Sequence, residues 1–461
     1  MPGSGPGMRV VGAVPFKRDK TMKKIILGAV SLAVTMTVAL AFNEGINLGV
    51  VRLNLWGELS GTYDSNARIV VPEGEIQNRQ IFQDEAVGGL SDKEDDIFFE
   101  LSLGGRLFRE TDRFYAALIA MIQARRYVDF DELDNESFIQ ELELRLGERR
   151  FDKFTVSLRQ TYREVFDYES MAYPDDLTNP DTDALFLSED RTERVSRQLL
   201  DLAGILTWRI TEKLNADFSV AYGTIEYDTD ELFDWEDLKG QAELDYRVTD
   251  RTALLLTGQY GIQNSDGLEN EPDYYVLRGG FLNRTTDKLT FKGGVGAGRY
   301  DRFREKPDAD DVDPADEVRS TSDDTIDYLS FDVAGDYDLS QRTKLQFIGR
   351  NAIQPAAQYE DNPKLVTVAS VGISHRLFDR FRLAGTVSYR NDDYEDPVEV
   401  DTGVFIDQKD TIWGGQIRLD YLPPNARLNA YVEARYENRE TTLPDEDYDQ
   451  LRLTIGVRIE I

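Results

Sequence analysis

Hydrophobic and polar residues take turns along most of this chain. In "LRLTIGVRIEI", Leu451, Leu453, Ile455, Val457, Ile459 and Ile461 fall on one side, and Arg452, Thr454, Gly456, Arg458 and Glu460 fall on the other. "RLNAYVEARYE" divides in the same way, with Leu428, Ala430, Val432, Ala434 and Tyr436 opposing Asn429, Tyr431, Glu433, Arg435 and Glu437. A period of two marks a strand with unlike faces. Between such stretches lie related triplets: "RETDRF" from Arg109, "RITEKL" from Arg209, "RVTDRT" from Arg247 and "RTTDKL" from Arg284. Thr, Asp and Asn bond their own backbone in tight reversals, so each triplet reads as a turn.

The alternation predicts strands over 48–63, 95–108, 113–129, 135–147, 152–167, 192–209, 212–228, 236–248, 251–262, 273–284, 287–302, 324–339, 342–359, 364–377, 380–394, 409–421, 427–439 and 448–461. Short turns and longer, acidic connections alternate between them without a break. One end of the structure therefore carries short turns and the other carries long loops. This is the layout of an all-β, antiparallel transmembrane barrel of about 18 strands (16–18), with short periplasmic turns and long acidic extracellular loops. The strands exceed the ~9–11 residues needed to cross a bilayer. An open strand edge in hydrocarbon would leave N–H and C=O groups unpaired, so 48–63 is expected to close on 448–461.

The beginning of the chain adds a compartment. "MKK", Met22 to Lys24, precedes the apolar run "IILGAVSLAVTMTVALA", Ile25 to Ala41, which ends on an Ala39-Leu40-Ala41 cleavage signature. The expected division is an upstream extension at 1–21, a signal peptide at 22–41 and one barrel domain at 42–461. "TIGVRIEI" resembles the terminal insertion signal of outer-membrane barrels, carried by Thr454, Gly456, Ile459 and Ile461. That resemblance implies the bacterial outer membrane, with its lipid and lipopolysaccharide as surroundings and the barrel-assembly machinery as a partner. "NLWGELSGTYDSNARI", with Gly61, Tyr63, Asp64 and Asn66, resembles the opening strand of the outer-membrane β-barrel porins, and the succession of hairpins resembles that family across residues 45–461. The resemblance implies a porin fold without naming a solute.

Composition narrows the chemistry. The 461 residues carry a net charge of −33, which argues against nucleic acid as a partner. There is no cysteine, so no disulfide framework or thiolate site, and a single histidine, His375, argues against a multi-histidine metal centre. No cofactor and no metal are expected. "DADDVDPADE", Asp308 to Glu317, lacks the glycine-centred calcium-loop pattern and reads as a solvated acidic loop. His375 beside Ser374 invites a hydrolase reading, but neighbours on a strand point to opposite faces. No catalytic residue is assigned. Trp56, Trp208, Trp235 and Trp413 are expected in the interfacial aromatic belts rather than in a sugar-stacking track.

Charged side chains must then face inward, because arginine against lipid costs ~2–4 kcal/mol at the midplane. Arg418, Asp420, Glu433, Arg435, Arg452, Arg458 and Glu460 are the expected lumen lining. Barrels of this size leave an aqueous channel. The expected function is passive diffusion of small hydrophilic solutes, with a cation preference from the acidic excess and a filter in loops 64–94 and 168–191. The barrel is expected as a monomer or a homo-oligomer. An export port for an exopolysaccharide and a non-conducting structural or receptor barrel are the alternatives.

Overall fold

The computed structural model describes residues 46–47, 51–68, 94–111, 114–129, 134–147, 153–166, 196–227, 234–265, 272–301, 325–355, 362–401, 404–423, 427–442 and 447–460. The expected signal segment with Ala39 and Ala41, residues 69–93 of the first expected filter loop, all of the second, the acidic run at 308–317 and Ile461 lie outside these residues. No described helix is long and apolar enough to cross a membrane.

Among the described residues, nineteen strands form one antiparallel sheet. One is a two-residue strand, Ile46–Asn47. The other eighteen make the wall. They are β1 (Arg52–Arg68), β2 (Glu94–Glu110), β3 (Phe114–Tyr127), β4 (Asn135–Leu146), β5 (Phe154–Phe166), β6 (Ser196–Arg209), β7 (Leu214–Tyr227), β8 (Trp235–Arg247) and β9 (Thr252–Ser265). They continue as β10 (Asp273–Thr286), β11 (Leu289–Asp301), β12 (Thr325–Ser340), β13 (Thr343–Pro355), β14 (Pro363–Leu377), β15 (Phe381–Tyr394), β16 (Lys409–Tyr421), β17 (Leu428–Thr441) and β18 (Tyr448–Glu460). Each pairs with its sequence neighbours, and β1 pairs with β18 from Trp56↔Glu460 to Asp64↔Arg452, so the sheet closes.

The closing seam is reinforced from inside. Thr62 and Thr454 share a hydrogen bond of 2.9 Å. Arg452 Nε donates to Asp64 Oδ2 at 3.1 Å, and Gln450 Nε2 donates to Asp64 Oδ1 at 2.9 Å.

The turn triplets act through their hydroxyls. The amides of Phe114, Leu214, Thr252 and Leu289 donate to the hydroxyls of Thr111, Thr211, Thr249 and Thr286 at 3.0–3.1 Å. Each Thr thus caps the start of the strand three residues on, which explains why the same word returns along the chain. The turn Phe378-Asp379-Arg380 has no hydroxyl in that place. It reverses through left-handed backbone instead, with φ of 50° at Phe378 and 59° at Asp379. At the other end the acidic loops have a local use as well. The amides of Tyr127, Tyr227 and Thr441 donate to Asp134, Asp234 and Asp447, and each bond closes a hairpin.

Parity of position decides facing. On β18, Leu453 and Ile455 are 45% and 66% exposed on the outside, while Gly456 is buried within. Ile122, Val220, Leu277, Leu329, Val387 and Ile417 continue this exposed apolar band around the wall. Such a band is stable only against hydrocarbon. The tryptophans divide, in part against expectation. Trp208, stacked on Phe154, and Trp413 sit on the outside near opposite rims, as an interfacial belt requires. Trp56 instead faces inward beside Gly104, where any Cβ would overlap its ring, and Trp235 lines an internal cavity. The usual place of tryptophan in barrels suggested a belt for all four; position in the period-two pattern overrides it. Among the described residues, the strands that the expected list lacks are Ile46–Asn47 and the hairpin Val398–Asp401 with Val404–Ile406.

The two faces predict opposite responses to the same substitution. Ile417→Arg should destabilise the folded barrel by roughly 2–4 kcal/mol in lipid, whereas the inward neighbour Gln416→Arg should cost far less. Denaturant titration in lipid vesicles reads the difference.

Candidate functional site: the inner face of the wall

The inner face divides into two zones along the barrel axis. In the half nearer the short turns, charged side chains are paired, and the cationic partners stay partly open to solvent. Arg382 Nε lies 3.0 Å from Asp420 Oδ2, and Arg418 Nε lies 2.9 Å from Asp420 Oδ1. Arg418 also reaches Glu433 at 3.4 Å and stacks over the Tyr431 ring at 3.9 Å. Tyr431 OH donates to Glu58 Oε1 at 2.6 Å, carrying the band to β1. Tyr431 lies over Gly456, where any Cβ would meet its ring; glycine lets the aromatic side chain lie flat on the neighbouring strand. Arg458 pairs with Glu460 at 3.1 Å and approaches the Trp56 ring. Across the lumen, Lys292 meets Glu243 at 2.8 Å and Lys344 meets Asp336 at 3.1 Å.

In the half nearer the long loops, the polar side chains are buried. Lys364 Nζ lies 2.9 Å from Asp392 Oδ2, with both side chains 3% exposed. Arg390 grips the same carboxylate with Nε and Nη2, both at 2.6 Å. Arg439 meets Asp410 at 2.7 Å, and Arg435 meets Glu437 at 3.4 Å. Buried charge is tolerable only when matched in this way, and here each carboxylate has its cation. Val366 and Val368 pack beside these pairs, with Ile348, into a small apolar cluster.

The seven residues expected in the lumen share the parity of the inner face on their strands, and Arg418, Asp420, Glu433, Arg435 and Arg452 each stand beside an exposed apolar neighbour. Arg418, Asp420 and Glu433 come together in one network. Arg435 joins Glu437, Arg452 joins Asp64, and Arg458 joins Glu460. Of the insertion-signal residues, Thr454 and Gly456 face in, while Ile459 has the outward parity of Leu453 and Ile455 but is buried. Lys364, Arg390, Asp392, Asp410 and Arg439 form the tightest part of the lining and were not singled out by sequence. Period two marks their face but gives no depth along the axis. His375 sits on the outer face near a short turn, and its Nδ1 shares a 2.8 Å hydrogen bond with the Thr343 hydroxyl. Among the described residues no group of three or more His, Asp or Glu is placed to hold a metal ion.

A cavity of about 400 Å³ lies between the inner face of β5–β12 and the upper part of β13. Arg159, Arg163, Asp237, Glu243, Arg278 and Asp332 line it in mixed charge, with Trp235, Tyr274 and Tyr328.

Residues 325–461, which cover β12–β18, match the family described as Putative beta-barrel porin 2. The same alternation and turn chemistry run on through β1–β11. The wall as a whole is a closed, eighteen-strand antiparallel β-barrel with an apolar outer band. A search of the curated proteins finds no match. Similar solved structures include Pseudomonas aeruginosa OpdK with vanillate, at 12% identity over 89% of this chain and 99% of that one, with a TM-score of 0.42. Pseudomonas aeruginosa OprD is 12% identical over 89% of this chain and 95% of that one, with a TM-score of 0.40. The ferric-catecholate import receptor Fiu of E. coli K12, in a closed form, is 8% identical over 88% and 81%, with a TM-score of 0.41. Likeness at that level transfers no solute to this chain.

The two zones predict unequal sensitivity. Asp392→Ala removes the buried carboxylate that Lys364 and Arg390 share and should cost roughly 3–5 kcal/mol. Glu460→Ala, which breaks the half-exposed pair with Arg458, should cost less than about 1 kcal/mol. Denaturation midpoints in lipid vesicles measure both.

Proposed function

We propose that the protein lets small hydrophilic solutes diffuse passively across the outer membrane. The observation that supports this reading is solvent access on the inner face. The side chains of Lys292, Lys344, Arg382 and Arg458 keep 46%, 40%, 51% and 41% of their exposure inside the barrel. Water reaches them, so the half of the lumen nearer the short turns is wet. Arg418, Asp420, Glu433, Arg435, Arg452, Arg458 and Glu460 form part of the lining past which solutes move.

The proposed cation preference belongs to the mouth rather than to the wall. Carboxylates of the inner face are largely matched by lysine and arginine, so most of the net charge of −33 lies in the connecting segments, such as 308–317. An acidic vestibule concentrates cations without binding them, and salt screens it over about 10 Å at 0.1 M. The surrounding lipid and lipopolysaccharide, insertion by the barrel-assembly machinery and any homo-oligomer belong to the same proposal.

A second reading, an exit port for a polysaccharide, draws on the inward aromatic rings of Trp56, Trp235, Tyr274, Tyr328 and Tyr431, since sugars stack on such faces.

Planar-bilayer recording tests the first reading. The protein should pass ions with modest cation selectivity in 0.1 M KCl that largely disappears in 1 M KCl. Monosaccharides should enter without lasting block. An absence of conductance from folded protein would contradict the channel, and long-lived block by oligosaccharides would favour the second reading.

A further inference from the structure

Between β12 and β13 the wall departs from its own pattern. Among the described residues their ladder is the shortest in the barrel. It stops at Asp332↔Arg350, although β12 has 16 residues and β13 has 13. The next step is made by a side chain: Phe331 N donates to Asn351 Oδ1 at 2.8 Å, and Asn351 Nδ2 donates to Leu329 O at 2.6 Å. Beyond it, β13 keeps pairing with β14 as far as Pro355↔Pro363 and leaves β12 behind.

Ile353 shows where the edge goes. It belongs by parity to the outward series of Phe347, whose ring meets that of Phe291 at 6.0 Å on the outside. Yet Ile353 packs with Tyr274, Val276 and Tyr300, which are inner-face residues of β10 and β11. The cavity also touches β13 at consecutive positions, Asn351, Ala352 and Ile353, so both faces of this segment stand in the lumen. The wall therefore overlaps itself like a scroll, with the free edge of β13 tucked inside β10–β12. Lys364, Arg390 and Asp392, on the two strands that follow, are buried in the same loop-side half.

We propose that this tucked edge is a strand gate that sets what crosses the loop-side half of the lumen. The inference rests on the channel reading and gives it a size-limiting element within the wall. Two discrete arrangements are available, as switching requires. In the tucked one, Ile353 fills an apolar cluster and Asn351 substitutes for the ladder. In the unrolled one, the existing register continues and brings Ala352 opposite Ser330 and Ile353 opposite Leu329. Main-chain hydrogen bonds then replace the apolar cluster, and the lumen widens. Pro355, which has no N–H to offer a partner, suits the end of a strand edge that pairs only part of the time.

The chain contains no cysteine, so engineered pairs report alone. Val276→Cys with Ile353→Cys fastens the tucked edge, and Ser330→Cys with Ala352→Cys fastens the unrolled one. Ile353→Asp, without a crosslink, disfavours tucking. Heat-modifiable gel migration checks that each variant folds, and planar-bilayer conductance is the readout. Conductance should fall several-fold on oxidising the first pair and recover on reduction, and it should rise several-fold on oxidising the second and in Ile353→Asp. Folded, conducting variants whose current ignores both crosslinks and Ile353→Asp would overturn the gate and leave the channel standing. So would a Ser330–Ala352 pair that never crosslinks. If wild type is silent and the second crosslinked pair conducts, the gate is supported. If nothing conducts in any state, the channel reading falls and the gate falls with it.

Discussion

The bilayer interior offers no water, so every backbone N–H and C=O within it needs a partner from the protein, and an open edge costs several kcal/mol per group. Closure of β1 on β18 follows from that demand. So does the period-two alternation, since a closed wall has one face in hydrocarbon and the other enclosed. The exposed apolar band around Ile455 and the inward run of Thr454, Gly456 and Arg458 are two aspects of one constraint. The place where the β12–β13 ladder stops is permitted because β12 is longer than the ~9–11 residues that cross hydrocarbon, and because the released edge turns into protein rather than lipid.

Charge follows the same enclosure. An arginine excluded from lipid has only the lumen to occupy, and there its cost depends on what meets it. Near the short turns, water and carboxylates share the task, and pairs such as Arg382–Asp420 stay partly open. Near the loops the wall closes in, water leaves, and Asp392 must satisfy Lys364 and Arg390 together. A narrow, charge-matched zone stacked on a wide, wet one is suited to passage with sieving. The large negative charge of the chain as a whole has little bearing on the wall itself.

Much of this was legible in the sequence. Strand positions, their number and closure follow from alternation and from the recurring Thr-x-x turn, and β16 falls at 409–421 as the alternation predicts. The inward facing of Arg418 and Glu433 is parity alone. Depth was not legible, because a period of two does not distinguish Arg418 from Arg390, one partly open and one buried. Trp56 and Trp235 misled because tryptophan suits either a membrane interface or a lumen, and parity, not residue type, decides. The tucked edge at Ile353 was hidden for another reason: its alternation is regular, and only a contact across the lumen reveals that its outer face has turned in.

The central claim is that neighbouring residues on one strand meet oil and water in turn. Single nitroxide labels at 452 to 457, one per variant of this cysteine-free chain, test it in lipid vesicles. Accessibility to oxygen should peak at 453, 455 and 457, and accessibility to a water-soluble nickel complex at 452, 454 and 456. Two profiles that rise and fall together, or that show no alternation, would contradict the account.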